Sequence, residues 1–169
     1  MEIIKTFFLF AIFGLAVYIG NIKAEKYIQR LKELISIKTA LNILENKIKF
    51  TQTPLKEIFK QIASSSSEKN ISSIFNTLSK EQNSNIHKSW VKVINKTETN
   101  LNNEDKKILI DMGNILGATD VDGQVSNIKL TSTFLDRQIE KAEQEKEKNV
   151  KLFRTLGIVS GLTIIIILI

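Results

Sequence analysis

Two stretches at opposite ends of the chain lack the polar side that a surface helix carries. Residues 7–19 and 155–169 contain no charge, and the closing run from Ile164 to Ile169 is apolar all round. A helix that crosses a hydrocarbon core of about 30 Å needs about 20 apolar residues. The first run reaches that length once Ile3, Ile4 and Thr6 are included and Lys5 snorkels toward the headgroups. The second is only about 22 Å long as a helix. Val150, Leu152 and Phe153 extend it, or the bilayer thins around it. Both runs are predicted to be membrane helices. Lys5 before an apolar run also suits a signal peptide, but residues 18–23 offer no clean small-x-small cleavage site, which favours an uncleaved anchor.

Between these ends the apolar positions become periodic. Leu34, Ile37, Leu41, Leu44 and Ile48 recur at alternating three- and four-residue steps, predicting a helix over 24–50. Residues 51–54 end it. Thr53 reads as the N-cap of the next helix, with Pro54 at its first position, where a missing N–H costs nothing. That short helix turns Leu55, Ile58, Phe59 and Ile62 to one side. The serine tract 64–67 reads as a linker. Two further stripes follow: Ile71, Ile74, Phe75 and Leu78, then Ile86, Trp90, Val93 and Ile94. Asn102 or Asn103 caps a helix whose first turn holds Glu104 and Asp105, acids suited to its positive end. Its apolar residues are Ile108, Leu109, Met112, Ile115 and Leu116, and Gly117 closes it.

Asp120 reads as the cap of the longest segment, on which Val121, Val125, Ile128, Leu135, Ile139 and Ala142 keep a helical repeat. Residues 140–148 are almost wholly charged, with Lys141/Glu145, Glu143/Lys146 and Glu145/Lys148 spaced to pair along one helix. No breaker precedes Gly157, so this rod runs on into the final apolar run. The expected fold is all-α: an antiparallel bundle of about six helices between N- and C-terminal membrane helices. The expected domains are an anchor at 1–22, a helical bundle at 23–150 and a membrane-inserted helix at 151–169.

Charge then orients this arrangement. Apart from Glu2 and Lys5, every charged residue lies between the two apolar runs, so that stretch carries the whole net charge of +6. Lys23, Lys26, Arg30 and Lys32 follow the first run, and Lys146, Lys148, Lys151 and Arg154 precede the second. Basic residues concentrate on the cytoplasmic side of spans, which places the bundle in the cytoplasm. Elsewhere acids are mixed among the lysines, which argues against nucleic acid. The flanking clusters suit anionic headgroups, at about 1 kcal/mol per basic residue.

Reactive constellations are missing from the sequence. No cysteine is present and His87 is the sole histidine, so neither a thiolate nor a His/Cys zinc set is available. Gly113, Gly117 and Gly123 are too scattered for a phosphate-binding loop. Asp120-x-Asp122-Gly123 opens like a calcium loop, but the later oxygen ligands do not follow, and a helix cap with a tight turn explains it better. Trp90 falls on a core stripe. No catalytic, cofactor or metal site and no small-molecule substrate is expected, so the chain reads as a binding or scaffolding protein and not an enzyme.

Several motifs align in order with one family: Arg30-Leu31-x-x-Leu34, then Ala40-Leu41-x-x-Leu44-Glu45-x-x-Ile48, then Thr53-Pro54-Leu55-x-Glu57-x-Phe59. Trp90 follows, then Leu116-Gly117-x-x-Asp120-x-x-Gly123-Gln124-x-x-Asn127-Ile128, and Asn149-x-Lys151-x-x-Arg154-x-Leu156-Gly157 enters the last run. Over nearly its whole length the chain resembles the stage III sporulation protein AB family of endospore-forming bacteria. That resemblance implies a fold similar to the cytoplasmic domain of the type II secretion platform protein F. It also implies a place in the mother-cell-to-forespore channel, in the mother-cell membrane around the forespore, with the bundle facing the mother-cell cytoplasm. The implied partners are a secretion-type ATPase, stage III sporulation protein AA, and other channel subunits.

Each motif residue also has a plain structural role. Thr53-Pro54 starts a helix, Gly117 stops one with positive φ, Asp120 caps, and Gln124 bonds the adjoining turn. Arg30 and Glu45 stand about 22 Å apart along one helix and cannot pair there. Arg30, Glu45, Thr53, Pro54, Gly117, Asp120, Gly123 and Gln124 are therefore expected chiefly to maintain the bundle. The 118–124 loop and the 51–56 turn are the first places to look for a contact surface. No role is carried onto the locally elaborated stretches 64–67 and 83–85. A membrane-tethered sensor or adaptor, with the charged 140–148 segment as its transmitting helix, is the competing reading.

Overall fold

The computed structural model describes residues 2–51, 53–81 and 86–168, with side chains from Phe7 onward. The elaboration expected at 83–85 lies outside the described residues. Those described form six helices and no strand: α1 (Glu2–Thr51), α2 (Leu55–Ser65), α3 (Lys69–Lys80), α4 (Ile86–Lys96), α5 (Asn103–Gly113) and α6 (Val121–Leu168). The first apolar run and the first bundle helix, expected as separate segments, are one continuous α1. No proline interrupts it, and Gly20 does not take a positive φ. The chain divides into two compact units, Arg30–Lys141 and the paired ends Met1–Gln29 with Ala142–Ile169.

The unit Arg30–Lys141 is built from the stripes. Leu34, Ile37, Leu41, Leu44 and Ile48 of α1 are all buried, as are Ile58, Phe59 and Ile62 of α2 and Ile71, Ile74, Phe75 and Leu78 of α3. Phe59, Phe75 and Trp90 meet in a triangle with ring centroids 5.9–6.0 Å apart, the tilted and edge-on arrangements that aromatic rings prefer. Trp90 is 1% exposed, and its indole Nε1–H donates to the Leu109 carbonyl at 2.7 Å. Gly113 lies flat against that ring, since a Cβ there would stand 2.3 Å from Trp90 Cδ1. A small residue at 113 therefore sets how closely α5 approaches α4.

Two details differ from the expected boundaries. Thr53 does not cap α2. Pro54, at φ −56° and ψ 137°, occupies the cap position itself and Leu55 begins the helix. The Pro54 carbonyl accepts from Glu57 and Ile58 N–H at 2.9 and 3.2 Å, while the Thr53 hydroxyl pairs with Thr51 at 2.6 Å. Likewise α5 ends at Gly113, before Gly117. Tight i→i+3 bonds then wind the chain, from Ile115 to Met112 and from Ala118 to Ile115, and Gly117 turns it at φ +76°.

The second unit is an antiparallel pair made by the N-terminal part of α1 and the C-terminal part of α6. Its seam is small: Gly20, Ala24, Gly157 and Gly161 are buried. A Cβ on Gly20 would lie 2.6 Å from the Phe153 carbonyl oxygen, and one on Gly157 would lie 3.0 Å from that of Ala16. Tyr27 and Phe153 stack at 5.9 Å beyond the glycines. Close backbone approach through small-xxx-small spacing is how helices associate where no hydrophobic effect drives them together. Outside the seam, Phe7, Phe8, Phe10, Leu15, Leu156, Val159, Ile166 and Ile167 stand exposed. Both helices are long and apolar enough to cross a membrane, and only 11% of each most apolar window is buried. A core helix of a soluble protein would be mostly buried. This exterior suits lipid.

Candidate functional site

Two places in the unit Arg30–Lys141 gather the residues singled out by sequence. One is a polar layer around the start of the α1 stripe. Arg30 falls four residues before Leu34, and Glu33 four before Ile37, so both project into the bundle; they are 5% and 1% exposed. Arg30 donates from Nε and Nη2 to the two carboxylate oxygens of Asp105 at 2.8 and 3.0 Å, and from Nη2 to Gln138 at 3.2 Å. Asp105 also accepts from the Asn102 N–H at 2.9 Å while Asn102 accepts from the Asp105 N–H at 2.8 Å. One carboxylate thus closes the α5 capping box and neutralises a buried guanidinium. Glu33 accepts from Asn70 at 2.8 Å and from the side chain and backbone N–H of Asn100 at 3.0 and 2.7 Å. It fastens α3 and the α4–α5 connection to α1.

At the edge of this layer Lys141 reaches across to Glu104 at 3.1 Å. That hydrogen bond and the lysine's charge, with a lesser hydrogen bond from Gln138, hold the Glu104 carboxyl below the usual carboxylate range. Farther along, Glu45 is half-buried and faces Lys129 at 3.8 Å, and Lys38 pairs with Asp136. Arg30 and Glu45 therefore each find a partner on another helix. Sequence reasoning missed Glu33 and took Asp105 only as a dipole-favoured acid. The available signal was two charged residues lying on an apolar stripe.

The other place is the opposite end of the same unit, about 30 Å along α1 from Arg30. Here the 51–56 turn and the 118–124 loop come together: a Cβ on Gly117 would stand 3.4 Å from Leu55 Cδ1 and 3.4 Å from Ile86 Cδ1. The loop is stitched by its own motif. Gly117 N–H donates to Gln124 Oε1 at 3.0 Å, Gln124 Nε2 donates to the Thr119 carbonyl at 2.9 Å, and Gly123 N–H donates to Asp120 Oδ1 at 3.0 Å. A Cβ on Gly123 would sit 2.8 Å from that same Oδ1 and 2.9 Å from Thr119 Oγ1, so a larger residue there would have to displace those side chains. Asn127 then ties α6 to the Met112 carbonyl at 3.1 Å. Outward from this stitching, Pro54 and all of 117–122 are exposed, together with Phe50 (71%) and Val121 (38%). Lys49 Nζ lies 5.0 Å above the Phe50 ring. The result is a hydrogen-bonded tip that leaves Phe50, Val121 and the loop acids Asp120 and Asp122 exposed.

Among the described residues no group of three or more His, Cys, Asp or Glu side chains converges to hold a metal, and His87 stands apart from the Arg30 layer, at the start of α4. What the arrangement can do is present a fixed surface.

Comparison with known proteins agrees with the fold. Residues 5–169 match the family described as stage III sporulation protein AB. A relative of that name from Bacillus subtilis (strain 168) is 29% identical over 150 residues, spanning 86% of this chain and 87% of its own. A solved structure of stage III sporulation protein AB superposes with a TM-score of 0.63 at 26% identity, covering 71% of this chain and 98% of that one.

Proposed function

Since the chain belongs to the stage III sporulation protein AB family, we propose that this sporulation protein acts as a non-enzymatic membrane platform subunit of the mother-cell-to-forespore channel. On this reading residues 1–22 and 151–169 are anchors in the mother-cell membrane, and 23–150 form a cytoplasmic domain that docks a secretion-type ATPase and other channel subunits. The observation that carries it is the tip. Hydrogen bonds among Gly117, Thr119, Asp120, Gly123 and Gln124 hold one loop together, and at the same end of the unit Phe50 of α1 and Val121 stand exposed. Exposed apolar groups on such a frame are what a docking partner covers. The basic residues beside both apolar runs support the cytoplasmic orientation.

Two measurements test this reading. A single cysteine at Ser65 in the cysteine-free chain should resist an impermeant maleimide in intact sporulating cells and react after permeabilisation. A photo-crosslinker at Phe50 or Val121 should recover the ATPase, and the same probe at Lys60 should not. Labelling of Ser65→Cys from outside, or equal recovery from both probes, refutes the proposal.

A further inference from the structure

A second surface, away from the tip, has a form that no part of the platform reading uses. Between α5 and α6 runs a trough of about 470 Å³. Met112 forms its buried floor, and Ile108 on α5 and Ile115 in the turn after it form a half-buried wall. On the α6 side Leu130 and Phe134, one turn apart, rise as a ridge that is 54% and 41% exposed. Elsewhere in the same unit the exposed large apolar side chains among the described residues are Ile35 and the tip residues Phe50 and Val121. The ridge is therefore a local concentration.

The rim carries unpaired charge of both signs. Glu104 at one end is engaged by Lys141. Lys107, Asp111 and Arg137 have no ion-pair partner among the described residues. One patch thus offers an apolar ridge beside an apolar trough, and an acid beside bases. A two-fold contact between identical chains requires a surface complementary to itself, in which residue i meets j and j meets i. A partner of one charge would leave either Asp111 or Arg137 facing its own sign. Two antiparallel helices meeting their copies also make a four-helix arrangement, a common way to cover such faces.

We propose that the α5–α6 face is a homotypic interface, in which the Leu130/Phe134 ridge of one chain enters the trough of a second copy and Asp111 of each meets Arg137 of the other. Chains confined to one bilayer are concentrated for such a contact, so a modest affinity suffices.

The test uses the full-length protein in its membrane and exploits the absence of cysteine. Two differently tagged copies, one Asp111→Cys and one Arg137→Cys, are co-expressed and treated with a short bis-maleimide. A mixed-tag dimer is expected, with none from Lys60→Cys on α2. In a second arm, energy transfer between labelled copies reads self-association. Leu130→Glu with Phe134→Glu should weaken it about tenfold or more. Asp111→Arg and Arg137→Asp should each weaken it, and the two together should restore it. Trp90 emission, unchanged throughout, reports that the fold is intact. A mixed-tag yield no higher than the Lys60→Cys control overturns the proposal, as does a link only to some other protein. Failure of the double charge exchange to restore association, with Trp90 emission unchanged, overturns it equally.

Discussion

Breaking the Arg30–Asp105 pair should cost more than any other single polar change in the chain. The side chains are 6% and 0% exposed, so removing either one strands a charge with little water to take it up. Arg30→Met leaves the Asp105 carboxylate with its capping bonds and no cation. Asp105→Asn takes from the guanidinium the carboxylate that binds it through two oxygens. Stranding one member of a buried pair costs about 3–5 kcal/mol, against a total of about 5–15 kcal/mol for a domain. At a urea slope of about 2 kcal/mol per molar, that lowers the midpoint by about 2 M. Trp90 is the only tryptophan and sits in the core of the same unit, so its emission follows the transition in detergent-solubilised full-length protein. The double variant Arg30→Met/Asp105→Asn should recover about half of the combined loss, because neither charge is then stranded. If each single change moves the midpoint by less than about 0.5 M, or if the two losses simply add, the pair is not coupled as its geometry implies.

Other expectations follow from the same contacts. Gly113→Ala drives a methyl into the Trp90 ring and should destabilise by about 1–3 kcal/mol with altered Trp90 emission; an unchanged spectrum and midpoint would contradict the packing. Gly157→Leu should separate the terminal helices and remove the Tyr27–Phe153 stacking, read as a lower yield of bis-maleimide crosslink between Tyr27→Cys and Phe153→Cys than with Gly157 present; an unchanged yield refutes the seam. Asp120→Ala should cost about 1 kcal/mol through the lost cap, measured by the same urea transition. The depressed pKa of Glu104 means that its pairing with Lys141 stabilises the fold above the unfolded carboxylate pKa, and that this contribution is lost as pH falls through the folded value. The stability difference between the native chain and Lys141→Met should therefore shrink in acid, and a gap constant with pH would dismiss the pair.

The stripes were legible because helix periodicity depends on local spacing. Leu34 through Ile48, Ile58 through Ile62 and Ile71 through Leu78 are buried where the three- and four-residue steps place them. Two classes of feature were not legible. Contacts between residues far apart in the chain, such as Arg30 with Asp105 or Glu33 with Asn100, leave no spacing signature, and only their placement on an apolar stripe hints at them. Close approach was also hidden. Gly20 fell in the stretch tested for a cleavage site and Gly157 was the first breaker of the last rod, and neither reading showed that the two backbones face each other. The boundary at Thr53-Pro54 moved by one residue for a local reason: Pro54 takes an extended ψ of 137°, so it precedes the first helical residue. Among the nominated residues, Gly117, Asp120, Gly123 and Gln124 proved to be one hydrogen-bonded loop, and Thr53 and Pro54 lie in the turn beside it, whereas Arg30 and Glu45 lie along α1 away from it.

That distribution bears on how any docking surface should be sought. The motif residues are largely consumed within the chain. Arg30 is spent on Asp105 and Gln138, Asp120 on Gly123, and Gln124 on Gly117 and Thr119. Changing them removes internal bonds first, so loss of sporulation in such variants would report loss of fold. The side chains free to meet a partner are those the motif leaves outside, Phe50 and Val121 at the tip. Phe50→Ser is exposed enough to leave the urea midpoint of the bundle within about 0.5 kcal/mol of the native chain. If the tip is the docking surface, that variant loses the partner while keeping the fold, and Gln124→Ala loses both together. A Phe50→Ser chain that still recovers the ATPase at native yield would place the contact elsewhere.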